Sequence, residues 1–380
     1  MENKRPKLGV IGLGHWFVRL SEGISDSEIL VSKAMGRKCF EERAEQLTML
    51  GVTKDNYYIG SPDGTIPESF FNGLDAVYVS SPNSLHCRQT MQILEKGKYA
   101  IVEKTLATNE HDFNEIIRFI EENDYEKMVY LHLHYIHKQL TLSMSRILAD
   151  LVKDYGRVKR VSATFLEGYD EVDKSRNWIF SREEGGVFMD WIHPYEILFQ
   201  GSEVKSAKIL DASFFIMNED YDKENPSGVE VLSKINGEYF EKDASAAIRV
   251  GKGSTGDVKR VRFYFDDNLF AEFNFMNSED EFGSDKRGNW KLLRKKQDNT
   301  KVLKFNEPRG PNSSEIFANE IIQLCNGKNT GLVIDEIKRM FDPQWAFQKI
   351  MDEKTPIVDP EKIKEFIRNG SLNEVEGYIA

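Results

Sequence analysis

Gly9-Val10-Ile11-Gly12-Leu13-Gly14-His15-Trp16-Phe17 is the stretch on which the fold turns. An apolar run from Leu8 to Leu13 reads as a buried strand, and His15 to Ile24 reads as the helix that follows it. The glycines between them have separate tasks. Gly12 permits a tight turn from strand to helix. Gly14 lets a diphosphate approach the backbone, where the free N–H groups and the dipole of a helix start hold negative charge. The position usually held by a third glycine is Phe17, which should force the first helix away from the sheet or change its tilt. A plain glycine-rich turn is the other reading of this stretch.

Working outward, short apolar runs alternate with segments of helical period. Glu28 to Met35, Asp75 to Ser80, Tyr99 to Lys104 and Lys127 to His134 are rich in the Val, Ile and Tyr that strands buried on both faces need. Phe40 to Leu50, Leu85 to Lys96 and Asn109 to Asn123 read as helices. In the last, Thr108 or Asn109 can cap, and Phe113, Ile116, Ile117 and Ile120 recur at helical spacing. This alternation predicts an α/β Rossmann domain, a doubly wound parallel sheet, over residues 1–126.

After about residue 136 the pattern changes. A helical stretch reaches Asp154, and Val158 to Phe165, Val258 to Phe265, Leu269 to Met276, Trp290 to Arg294 and Lys301 to Phe305 alternate as antiparallel strands do. Residues 127–380 are therefore expected to form an α+β domain with an open, mostly antiparallel sheet. Ser313 to Cys325 and Ile334 to Met351 close the chain as helices expected to pack back on the first domain, and Asn218 to Gly228 reads as a surface loop.

Composition bounds the partners. Of 380 residues, 40% are hydrophobic and 30% charged, as in an ordinary globular protein able to bury a core. The 51 Lys and Arg against 62 Asp and Glu leave a net charge of −11, which repels polyphosphate backbones, so nucleic acid is not an expected partner. Cys39, Cys87 and Cys325 lie far apart without a CxxC pair, which predicts a reducing, cytoplasmic setting. Lys4, Arg5 and Lys7 precede an apolar run too short for a signal peptide, and no run reaches the roughly 18 apolar residues of a membrane span.

The second strand ends Met35-Gly36-Arg37-Lys38 without the acid that usually binds a ribose 2′-hydroxyl. Two cations beside a glycine suit a 2′-phosphate, so NADP is favoured over NAD; a solvated surface pair is the alternative. Ser80-Ser81-Pro82-Asn83 ends another strand where parallel sheets place ligands, although ordinary turn chemistry explains it equally well. Lys104, after Glu103, reaches the same sheet edge and could hydrogen-bond a substrate hydroxyl or pair with a neighbour. Gly185-Gly186 opens a helix on which Asp190 and His193, three apart, share a face, so that the carboxylate could orient the imidazole; a cap with a buried histidine is the alternative. His132, His134 and His137 lack a nearby carboxylate or cysteine, so no metal is expected, and His134 is a substrate-facing candidate.

Taken together these pieces resemble the glucose-fructose oxidoreductase, inositol dehydrogenase and MocA family. The resemblance rests on the glycine-rich opening, Ser81-Pro82-Asn83 with His86, Glu103-Lys104 after Ile101-Val102, and Gly185-Gly186 followed by Asp190 and His193. It implies a Rossmann domain that binds NAD(P) through Gly12, Gly14, His15, Trp16, Gly36, Arg37, Lys38, Ser80, Pro82, Asn83, His86, Glu103 and Lys104. It also implies a second domain whose open sheet serves a homodimer or homotetramer. The family's Glu-Lys-Pro lysine falls on Lys104, its acid–base histidine on His193 and the aspartate of that motif on Asp190, while Trp178 and Arg182 fall where the substrate pocket is lined. The chain departs from the family at Phe17, at Thr105 in place of proline, and in an Asp190-to-His193 spacing one residue shorter. The expected activity is hydride transfer to or from a sugar, polyol or related hydroxy compound. A non-catalytic dinucleotide sensor, or a reductase of a tetrapyrrole or dihydrodiol, stands as the alternative.

Overall fold

The computed structural model describes residues 5–14, 24, 27–168, 186–217, 226–254, 256–276, 288–296, 299–306, 313–329 and 331–367. Its backbone divides into two units: Met1–Leu133 with Pro311–Ile337, and His134–Gly310 with Lys338–Ala380.

The first unit is built on β1 (Lys7–Ile11), β2 (Leu30–Gly36), β3 (Tyr57–Ile59), β4 (Ala76–Val79), β5 (Tyr99–Glu103) and β6 (Val129–His132). The strands lie in the order β3-β2-β1-β4-β5-β6 and every pair is parallel. Every residue of β4 and β6 is buried, as expected of short apolar runs covered on both faces. The order reverses between β1 and β4, the crevice where sheets of this kind bind ligands beyond their carboxyl ends.

The helix Glu110–Glu122 follows its sequence signals closely. Asn109 accepts a hydrogen bond from the Asp112 backbone at 2.8 Å, a cap worth about 1 kcal/mol, and Phe113, Ile116, Ile117 and Ile120 are its buried stripe. The segment expected as one helix from Phe40 to Leu50 is instead a tight turn at Phe40–Arg43 followed by the helix Ala44–Met49. The helix expected from His15 to Ile24 lies, apart from Ile24, outside the described residues. β3 had no signal in the sequence, being three residues long and only partly buried at the sheet edge.

The boundary also differs from the expected 126/127. β6 completes the first sheet by pairing with β5, so the chain leaves this unit after Leu133. It returns with the helix Ser313–Cys325, whose Phe317, Ala318, Ile321 and Leu324 join Leu8, Val10, Tyr78, Ile101 and Tyr130 in one buried cluster. The last long helix, Ile334–Glu353, belongs to this unit only as far as Ile337.

The second unit carries β7 (Val158–Gly168), β8 (Val204–Phe215), β9 (Gly228–Gly237), β10 (Phe240–Ser254), β11 (Val258–Tyr264), β12 (Leu269–Asn274), β13 (Asn289–Lys296) and β14 (Asn299–Asn306). They form one sheet in the order β14-β13-β12-β11-β7-β10-β9-β8. Neighbours are antiparallel except for β7 with β10. Strands β8 to β10 were not expected. Lys205, Lys208 and Asp211 dilute the alternation of β8, and β10 is rich in small residues such as Ala244, Ser245, Ala246 and Ala247, which carry little strand propensity. The surface loop expected at Asn218 to Gly228 lies outside the described residues up to residue 225, and Gly228 itself begins β9. Among the described residues no helix is long and apolar enough to cross a membrane.

Candidate active site

In the first unit the chain leaves β1 through Gly12, whose φ is +87°, a conformation that side chains resist. A Cβ on Gly12 would lie 2.3 Å from the Ser80 carbonyl oxygen, so the turn is packed directly on the end of β4. Hydrogen bonds lock the same approach. Gly12 N–H donates to Met35 O at 2.9 Å, Ser80 N–H donates to Ile11 O at 2.8 Å, and the Ser80 hydroxyl donates to Gly12 O at 2.7 Å. A Cβ on Gly14, by contrast, would meet nothing within 4 Å among the described residues. These features fit a dinucleotide's diphosphate, which needs close backbone access at a switch point of the sheet. Gly12→Ala is expected to cost about 1–3 kcal/mol through its positive φ, and more through the backbone contact, with loss of dinucleotide affinity. Urea unfolding and a dinucleotide titration of that variant check both.

At the end of β2, a Cβ on Gly36 would fall 2.6 Å from the Tyr57 hydroxyl, which would have to shift. Arg37 and Lys38 follow and are exposed, and Lys38 pairs with Glu42 at 2.8 Å. Pro82 and Asn83 begin a tight turn before the helix His86–Glu95. His86 is buried, and its ring lies between two carbonyl oxygens, Thr105 O at 2.7 Å and Ser81 O at 2.9 Å. It therefore ties the loop after β4 to the loop after β5.

Glu103, the last residue of β5, turns inward. Its carboxylate accepts from the Tyr78 hydroxyl on β4 and lies 2.5 Å from His132 Nδ1 on β6. Burial, then the Glu103 carboxylate, holds the Tyr78 phenol far above its usual range. The His132 ring stacks on Phe317 at 3.7 Å between centroids. Three adjacent strand ends are thus clamped directly below Lys104, which is half-buried and joined to Thr105 by a cis peptide bond.

In the second unit, Gly186–Asp190 and Ile192–Glu196 are two short helices with Trp191 between them. Pro194 explains the break, since it has no N–H to give the Asp190 carbonyl four residues back and its ring crowds that group. Asp190 and His193 do not pair closely here: Asp190 Oδ1 is 4.0 Å from Nε2, beyond a hydrogen bond. Asp190 Oδ2 is instead 2.7 Å from Lys252 Nζ on β10, while His193 Nδ1 is 3.0 Å from Glu196 Oε1. The Tyr135 ring lies edge-on to His193 at 5.0 Å, and burial pushes its phenol up to about 12.

Beside this pair, Lys259 on β11 lies 2.8 Å from Glu167 on β7. The Lys259 ammonium holds the Glu167 carboxyl well below its usual range against the opposing effect of burial. Burial pulls the Lys259 ammonium down, but Glu167 and Tyr135 outweigh it and raise it.

His132 faces Glu103 in the first unit, whereas His134 opens the tight turn His134–His137 of the second, edge-on to the Tyr135 ring at 4.9 Å. His15, Trp16, Phe17, Trp178, Arg182 and Gly185 lie outside the described residues. Sequence reasoning missed Glu196, although it stands three residues beyond His193 at the spacing that drew attention to Asp190. It missed Glu167, Lys252 and Lys259 because strand charges far apart in the chain carry no local signal.

Residues 31–131 match a family model described as an oxidoreductase family with an NAD-binding Rossmann fold. The chain is 28% identical over 105 residues to scyllo-inositol 2-dehydrogenase (NADP(+)) of Bacillus subtilis, covering 27% of this chain and 30% of that protein. It is 28% identical over 142 residues to 1,5-anhydro-D-fructose reductase of Ensifer adhaerens, covering 37% and 38%. It therefore matches only about a third of the length of these curated relatives. In fold it is similar to a 3-ketoreductase from Actinomadura kijaniata solved with NADP and TDP-benzene. The TM-score is 0.70 at 15% identity, over 94% of this chain and 100% of that one.

Proposed function

We propose that this chain, whose residues 31–131 match the model of an oxidoreductase family with an NAD-binding Rossmann fold, moves a hydride between a nicotinamide dinucleotide and a carbinol carbon of a sugar, cyclic polyol or related small hydroxy compound. NADP is the preferred form. The observation that carries the reading is the positive-φ turn at Gly12, packed on Ser80 at the carboxyl end of the β3-β2-β1-β4-β5-β6 sheet. The names of the curated relatives, an inositol dehydrogenase and an anhydrofructose reductase, support the substrate class.

Gly12, Gly14, His15 and Trp16 would receive the diphosphate, and Gly36, Arg37 and Lys38 the ribose 2′-phosphate. Ser80, Pro82, Asn83, His86 and Glu103 would border the rest of the dinucleotide. When bound, the nicotinamide supplies or takes the hydride. Lys104 is assigned to the hydroxyl oxygen, which its ammonium polarises. His193 is assigned to the hydroxyl proton, removed on oxidation and returned on reduction. His134, Trp178 and Arg182 are assigned to the substrate. The same reading has the protein working in a reducing cytoplasm as a homodimer or homotetramer through its second sheet.

The test is a panel of sugars, sugar phosphates and inositols with NADP and with NAD, followed by nicotinamide absorbance. An absorbance change with a polyol supports the enzyme. Tight dinucleotide binding with no change for any compound supports a sensor instead. In the same assay Arg37→Asp is expected to weaken NADP about tenfold, by replacing a charge-assisted donor with a like charge, and to leave NAD almost unchanged. Equal affinity of the wild type for both cofactors would remove the case for a phosphate site.

A further inference from the structure

The geometry points to Glu196, in place of Asp190, as the residue that positions the His193 imidazole, an assignment that rests on the acid–base role proposed above for His193. Glu196 is 0% exposed, and one of its oxygens lies 3.0 Å from His193 Nδ1. The same oxygen accepts the Tyr135 backbone N–H at 3.2 Å. A carboxylate held from two sides in a buried site cannot swing away as a surface acid does, and it needs donors to offset its lost hydration.

The consequence is a fixed tautomer. With Nδ1–H donated to Glu196, the neutral ring keeps its lone pair on Nε2, the nitrogen then available to take a proton. Asp190 is 4.0 Å from that nitrogen and bound to Lys252 at 2.7 Å. Lys252 thus keeps Asp190 from competing for the ring. Of the other ionisable groups around His193, Glu167 on β7 and Lys259 on β11 are paired at 2.8 Å. Tyr135 presents its ring edge, with Lys138 over its face at 5.6 Å. Glu196 therefore makes the short polar contact to Nδ1.

The test is a titration of ring-labelled histidine by nitrogen NMR in the full chain, with the His193 signal assigned from its loss in His193→Gln. In the wild type the neutral His193 ring is expected to carry its proton on Nδ1. Glu196→Gln is expected to lower the pH at which His193 takes up its second proton and to raise the population protonated on Nε2, whereas Asp190→Asn shifts both less. Turnover of Glu196→Gln should fall about 10²-fold with KM little changed, and the acidic limb of its pH profile should move to lower pH. A wild-type ring protonated on Nε2 overturns the assignment even if Glu196→Gln fails to fold. So does a folded Glu196→Gln whose titration matches the wild type while Asp190→Asn changes it. The NMR readout needs no turnover. A wild type with the expected tautomer and titration but no activity on any polyol would sink the acid–base reading and leave the Glu196–His193 pair standing.

Discussion

Lys104→Met is expected to lower turnover roughly 10²- to 10⁴-fold while dinucleotide binding stays measurable. Methionine keeps an unbranched apolar stem of similar length and removes only the ammonium, so packing around this half-buried position changes little. Glu103, the residue before it, is held by Tyr78 on one side and His132 on the other, contacts that the substitution leaves in place. The loss should therefore fall on kcat, where polarisation of the reacting oxygen is felt most, rather than on cofactor affinity. Steady-state nicotinamide absorbance and a separate fluorescence titration of the dinucleotide distinguish the two. Turnover within twofold of the wild type would remove Lys104 from the chemistry.

Phe317→Ala should destabilise the first unit by about 3–5 kcal/mol, the cost of deleting a buried aromatic ring and leaving its cavity. Phe317 is 1% exposed, stacks on His132 and touches the rings of Tyr78 and Tyr130 edge-on or tilted, so it covers side chains of both β4 and β6. Its helix returns from a distant part of the sequence, and the ring is a principal means by which that helix is anchored. Urea unfolding of the variant checks the value, with the slope of the transition showing whether the same surface is exposed. A change below about 1 kcal/mol would mean that the helix gains its stability elsewhere. Freed of the stack, His132 would hold Glu103 less firmly, so a drop in kcat should accompany the loss of stability.

Much of the first unit was legible in the sequence because its signals are local. The runs in β1, β4, β5 and β6 are mostly apolar, with Lys7, Glu103 and His132 only at strand ends, as parallel strands covered by helices require, and Asn109 with its isoleucine stripe marked a helix within one residue. Gly12 was readable too, since a positive φ at a strand end leaves glycine as the ordinary choice. Strands β8 to β10 were not legible. Their stability comes from cross-strand partners in the sheet, such as Arg249 against Glu230, rather than from a pattern within each segment.

The candidate site divides the same way. Residue types and spacing along the chain were enough to single out Gly12, Lys104 and His193, because turn conformation, strand ends and helical period are written in a few consecutive residues. Which carboxylate serves His193 was decided by tertiary structure alone. Asp190 and Glu196 stand at equal spacing on either side of the histidine, and the choice depends on Lys252 and Tyr135, which only the folded chain brings to them. Burial then makes those contacts decisive, since a charge removed from water must keep the partner that the fold has placed beside it.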